Sequence, residues 1–147
     1  YHNEFQEVQY SCGFDPSAAI IIQTLKEQGY QLILATNPLF PAVATQSRIR
    51  WAGLNPGDFV WITTYENSHF CKPNPAYYRE LLEILNLQPE GCLMVGNDVA
   101  DDMVAEKLGM KVFLLTDCLV NKENKDISVY PNGDFDALVQ YIKENYL

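Results

Sequence analysis

Four short apolar runs, separated by segments with a helical period, constrain this chain more than any other feature. They are Gln31 to Thr36, Asp58 to Thr64, Cys92 to Val95 and Lys111 to Thr116. A near-continuous apolar run, or one rich in β-branched and aromatic residues, is what a strand covered on both faces requires. Between the runs, Asp15-Pro16-Ser17 opens a helix that continues from Ala18 to Gln28 and stops at Gly29, with Ile21, Ile22 and Leu25 on one face. A second helix is expected from about Pro41 to Ala52. A third starts at Asn74-Pro75 and runs through Leu85, with Tyr78, Leu81, Leu82 and Leu85 as its apolar stripe. A fourth spans Ala100 to Leu108 and ends at Gly109, and a last one spans about Asp134 to Tyr146. Residues 117–133 lack a period and read as a surface loop. Strands alternating with amphipathic helices predict an α/β fold, an open parallel sheet with helices on both faces. Ligands in such sheets bind beyond the carboxyl ends of the strands. The chemistry is therefore expected just after Thr36, Thr64, Gly96 and Thr116.

Composition narrows the functional classes. A formal charge of -9 argues against nucleic acid or an anionic membrane surface as the main partner. No run of residues is long and apolar enough for a membrane span, and the expected compartment is a reducing cytoplasm. Cys12, Cys71, Cys92 and Cys118 are scattered without a Cys-x-x-Cys pair, so a disulfide framework is not expected. Cys92 reads as a small buried hydrophobe. His2 and His69 are too few and too far apart for a zinc site.

Three clusters fall at the expected strand ends. Thr36-Asn37 sets a hydroxyl and adjacent amides where they can donate to an anion such as phosphate. A strand-closing Thr and a turn-opening Asn before Pro38 would look the same. Lys72 stands just before the helix that begins at Asn74, opposed to the helix dipole, a placement that makes sense beside a strong anion. A solvated surface lysine is the plainer reading. Gly96-Asn97-Asp98-Val99-Ala100-Asp101-Asp102 turns out of a strand and gathers three carboxylates near a helix start. Capping explains some acidic residues there, but not three. A hard cation such as Mg2+ would relieve their repulsion.

In this order, and over roughly Asp15 to Tyr146, the clusters resemble the later motifs of the haloacid dehalogenase (HAD) superfamily. Leu32 to Asn37 resembles the second motif, whose Thr or Ser binds the transferred phosphoryl group. Lys72, in Lys-Pro-Asn-Pro, is similar to the lysine of the third motif. Gly96 to Asp102 resembles the fourth, a glycine followed by acidic residues that hold Mg2+. The resemblance implies a three-layer Rossmann-like sheet. It also implies a Mg2+-dependent hydrolase, a phosphatase acting on small phosphorylated metabolites, with Thr36, Asn37 and Lys72 at the phosphate. The family places Asp directly after the glycine, where Asn97 stands here. If the register follows the glycine, Asn97 takes the metal-ligand place with Asp101 or Asp102 as partner. If it follows the carboxylates, Asp98 and Asp102 are the pair, and a charged oxygen favours Asp98.

The family's first motif, Asp-x-Asp after an apolar strand, does not occur in this sequence. In relatives its first Asp attacks phosphorus to form an aspartyl phosphate, which splits the transfer into two easier steps. Its strand lies centrally in the sheet, between those ending at Thr36 and Gly96. The expectation is therefore that residues 15–147 are an incomplete HAD-like core lacking the first strand and the cap. Residues 1–14 would be a tail or link from an N-terminal segment that carries the nucleophile, and the chain alone would be inert. A catalytically inactive HAD-fold binding or regulatory module is the competing reading. A receiver-like domain ranks lower, because its acidic residues would come early in the chain.

Overall fold

The computed structural model describes residues 1 and 3–147; His2 lies outside the described residues. The chain divides into two compact units, Tyr1–Ser68 and His69–Leu147. Each holds part of an α/β fold with parallel strands and flanking helices.

The N-terminal unit begins with a 3-10 helix, Glu4–Ser11. The Phe5 ring lies 5.2 Å from Trp51 and 6.0 Å from Phe40, and the Gln6 amide donates to the Ser47 hydroxyl. Helix α1 (Pro16–Glu27) starts as its sequence dictates. The Asp15 carboxylate accepts from the Ser17 amide, and Pro16 supplies the first helical residue without losing a needed donor. Gly29, at φ +84°, lets the chain leave the helix in the left-handed region. Strand β1 (Ile33–Leu34) pairs in parallel with β2 (Trp61–Ile62), Ile33 opposite Trp61. Between them, α2 (Ala42–Trp51) buries Ala44, Thr45, Ser47 and Ile49.

Both strands are shorter than the apolar runs suggested. Asn55 accepts from the Gly57 amide and winds Pro56–Asp58 into a 3-10 turn, which consumes the start of the expected second strand. Parallel hydrogen bonds nevertheless extend past the ladder, with Val60 N–H to the Leu32 carbonyl and Thr63 N–H to that of Leu34.

The C-terminal unit opens on α3 (Pro75–Ile84), capped by Asn74 through the Ala76 amide. It buries Tyr77, Tyr78 and Leu81, so the buried face includes Tyr77 besides the expected stripe. Strands β3 (Leu93–Gly96), β4 (Lys111–Leu115) and β5 (Asn132–Gly133) form a parallel sheet in that order. Val112, Phe113 and Leu114 of β4 are buried in the core. Helix α4 (Phe135–Tyr146) covers β4 with Leu138 and Ile142, and the Tyr141 ring lies 5.1 Å from Phe113.

Two expectations change here. The segment read as a helix from Ala100 is a hydrogen-bonded turn, with the Ala100 and Asp101 amides donating to Asp98, followed by a 3-10 helix, Met103–Leu108. The loop 117–133 ends in β5, whose Asn-Gly sequence has no strand propensity of its own. It is held by the Leu114 amide to the Pro131 carbonyl and the Thr116 amide to the Gly133 carbonyl, so its pairing is imposed by β4. Cys92 is half-buried rather than buried, and all four cysteines are free. Among the described residues, no helix is long and apolar enough to cross a membrane.

Asp134 caps α4 through the Ala137 amide in the same stretch that forms β5. Asp134→Ala is expected to cost about 1 kcal/mol, read as a lowered denaturation midpoint with unchanged slope in urea titration.

Candidate active site

The C-terminal unit assembles most of the expected residues around one ion pair. Lys72 Nζ lies 2.6 Å from Asp102 Oδ1, and the two side chains are 5% and 8% exposed. The anion expected near Lys72 is thus supplied by the chain itself. The lysine also lies 5.6 Å from the ring centroids of both Tyr77 and Tyr78, which stand edge to face. Aromatic faces attract a cation, more so when it is desolvated.

Asp102 uses its other oxygen on the backbone, since Oδ2 accepts from the Asp98 amide at 3.0 Å. That carboxylate lies directly over Gly96. A Cβ at residue 96 would stand 2.2 Å from Asp102 Oδ2 and 2.3 Å from its Cγ. The glycine is therefore required by the close approach of a side chain. Asp98 Oδ1 accepts from the amides of Ala100 and Asp101, which fixes the turn after β3. The Asn97 amide donates to the Cys118 carbonyl at 2.6 Å.

Electrostatics follow from burial and crowding. The Tyr78 hydroxyl donates to the Asp101 carbonyl, and burial together with the Asp102 charge pushes its pKa far above the phenol range. It remains a donor at every working pH. Asp101 is pushed above its ordinary value of 3.8, first by burial and then by the charges of Asp98 and Asp102, with Lys72 and Lys122 opposing.

Thr36 and Asn37 belong to the other unit, at the end of β1. The Thr36 carbonyl accepts the Thr63 hydroxyl at 2.6 Å, and the Leu39 amide donates to the Asn37 carbonyl. Thr63 is fully buried, so its hydroxyl fixes the strand end where Thr36 sits. The carboxylate of Glu66 accepts the Ala42 amide at the start of α2. Sequence reasoning missed Tyr77 and gave Tyr78 only a packing role. The signal was present, since two aromatic residues a turn after a lysine can face it.

The donors of the turn at residues 97–102 are oxygens, which suits a hard cation. Among the described residues, no group of three His, Cys, Asp or Glu side chains could hold a metal ion. Asp98 Oδ1 accepts two backbone amides, and Asp102 is engaged on both oxygens by Lys72 and the Asp98 amide.

The fold and this arrangement define a protein of the α/β class built on parallel strands. The haloacid dehalogenase-like hydrolase family model matches residues 8–109, and the chain belongs to that family. A comparison with curated proteins gives no significant match. Among solved structures, a predicted phosphoglycolate phosphatase from Haemophilus somnus is 25% identical with a TM-score of 0.69, over 86% of this chain and 56% of that one. The HAD phosphatase from Thermococcus onnurineus is 17% identical with a TM-score of 0.72, over 92% and 61%. The HAD-hydrolase YfnB from Bacillus subtilis, solved bound to magnesium, is 21% identical with a TM-score of 0.69, over 89% and 56%. The chain spans about three fifths of the length of these relatives.

Two predictions follow from the pair and its neighbours. Asp102→Asn or Lys72→Met alone leaves a buried charge uncompensated and is expected to cost about 3–5 kcal/mol, whereas Lys72→Met with Asp102→Leu together costs far less. Chemical denaturation of the three variants checks this. Because Asp101 has a raised pKa in the folded state, its ionisation weakens the fold as pH rises from 3.8 toward the raised value. In metal-free buffer, Asp101→Asn should therefore melt higher than the parent at pH 7, with the difference vanishing below about pH 3.5; an unchanged difference at low pH would count against this assignment.

Proposed function

We propose that this chain forms the phosphate-holding and cation-holding part of a Mg2+-dependent HAD phosphatase acting on a small phosphorylated metabolite. The observation that carries the reading is the buried Lys72–Asp102 pair, held between Gly96, Tyr77 and Tyr78. A lysine so far removed from water is costly to keep unless its charge is used. Lys72 would neutralise a phosphoryl oxygen, and Thr36 and Asn37 would donate to others. Asp98 would hold the cation together with Asn97 or Asp102, whose own bonds keep Lys72 and the Asp98 amide in place. Bound magnesium would draw charge from the phosphoryl oxygens.

The nucleophile would be an aspartate on a segment outside these residues. Its carboxylate oxygen would form a bond to phosphorus as the bond to the leaving alcohol breaks, and water would then release phosphate. Two facts support such a segment. β1 and β3 are each terminal in their sheets, and the chain spans about three fifths of its solved relatives. We assign the complete protein to the cytoplasm on composition. By this reading the chain alone is inert.

A second reading is a HAD-fold binding module without catalysis, favoured by Asn97 in the place after Gly96 and by its engaged amide. A phosphomonoester screen of the natural polypeptide carrying these residues, with and without Mg2+, separates the two. Magnesium-dependent hydrolysis is expected, with kcat about a hundredfold or more lower in a folded Lys72→Met variant. No turnover of any phosphomonoester would favour the binding module, and full activity from residues 1–147 alone would overturn the role of the missing segment.

A further inference from the structure

The segment after β4 returns to the acidic turn and is tied to it by three hydrogen bonds. The Val120 amide donates to the Asn97 carbonyl at 2.8 Å, and the Val99 amide to the Val120 carbonyl at 3.0 Å. These two bonds make a parallel bridge between Asp98 and Val120. The third is from a side chain, Asn97 Nδ2 to the Cys118 carbonyl. Further along, the loop is pinned by itself: the Asn121 side chain donates to the Lys125 carbonyl and accepts the Lys125 amide. A cleft of about 130 Å3 lies between this loop and the turn, with Asp98 and Asp101 on one wall and Asn121, Lys122 and Lys125 on the other. Lys125 is paired with Glu123, while Lys122 acts electrostatically on Asp101 across the cleft.

The geometry points to Asn97 as a latch: its amide holds the 118–125 loop against the acidic turn as a fixed wall of the substrate cleft, with Lys122 as the wall's charged contact to an anionic substrate. Chemistry explains why an amide stands there. A carboxylate at residue 97 would set an anionic oxygen 2.6 Å from a carbonyl oxygen, with no proton to share. An amide keeps the size and supplies the donor. Asn97 is on this account a positioning residue and Lys122 a specificity-determining one. The assignment rests on the phosphatase reading for the use of the cleft, but the latch itself does not.

Amide hydrogen exchange on the natural polypeptide separates the two. N97D and N97A should each speed exchange at Val120 about tenfold, the loss of roughly one hydrogen bond, while Leu114 in β4 keeps its protection. K122A should leave Val120 exchange unchanged. With a phosphomonoester substrate, K122A should raise KM several-fold with kcat little altered, unlike Lys72 variants, which lower kcat. Parental protection of Val120 in N97D would overturn the latch. A kcat loss at constant KM in K122A would overturn the wall. Absence of all hydrolysis would defeat the phosphatase reading while the exchange result still decides the latch.

Discussion

The buried pair between Lys72 and Asp102 fixes the C-terminal unit's site. Two charges less than a tenth exposed are stable only if the surrounding geometry is close to ideal. The structure meets that condition from several directions. Gly96 has no Cβ, which leaves room for the carboxylate. The Asp98 amide satisfies the second oxygen of Asp102, and two tyrosine rings surround the ammonium. Every one of these neighbours is set by the pair, and the pair is set by them.

The alternation of apolar runs and helical segments was legible because burial on both faces leaves a plain mark in sequence. Helix starts at Asp15, Asn74 and Asp134 were legible for a different reason, since each pairs a short polar side chain with the orphan amides of a first turn. What escaped is tertiary. Strand β5 is an Asn-Gly pair recruited by β4, and no propensity betrays it. The role of Gly96 was read as a sharp turn, whereas the structure shows a side chain lying where a Cβ would be. Lys72 was visible only as a lysine near a helix start. Its burial, and the identity of its counterion thirty residues later, depend on packing.

Thr36 shows the same division between local and distant causes. Its place at a strand end follows from the apolar run that precedes it. The fixing of that end comes from Thr63, a buried residue just after β2 whose hydroxyl reaches both the Leu34 and Thr36 carbonyls. A hydroxyl buried without such acceptors would be costly, so the carbonyls at the end of the neighbouring segment make a buried Thr possible there. Sequence reading marks Thr63 only as a β-branched strand residue.

Asn97 brings these strands together, because one substitution relative to the family pattern alters two properties at once. Removing a carboxylate from the place after Gly96 lowers the local negative charge, which matters beside Asp98, Asp101 and Asp102. Putting an amide there adds a donor, and the Cys118 carbonyl receives it. The charge of Asp101 is already resisted by its neighbours, so a fourth carboxylate would add to a repulsion that only a cation could relieve. An amide lets the turn and the loop stay joined whether or not a cation is bound. The departure from the family's acidic pattern is thus compatible with a site whose shape is set by hydrogen bonds before any ligand arrives.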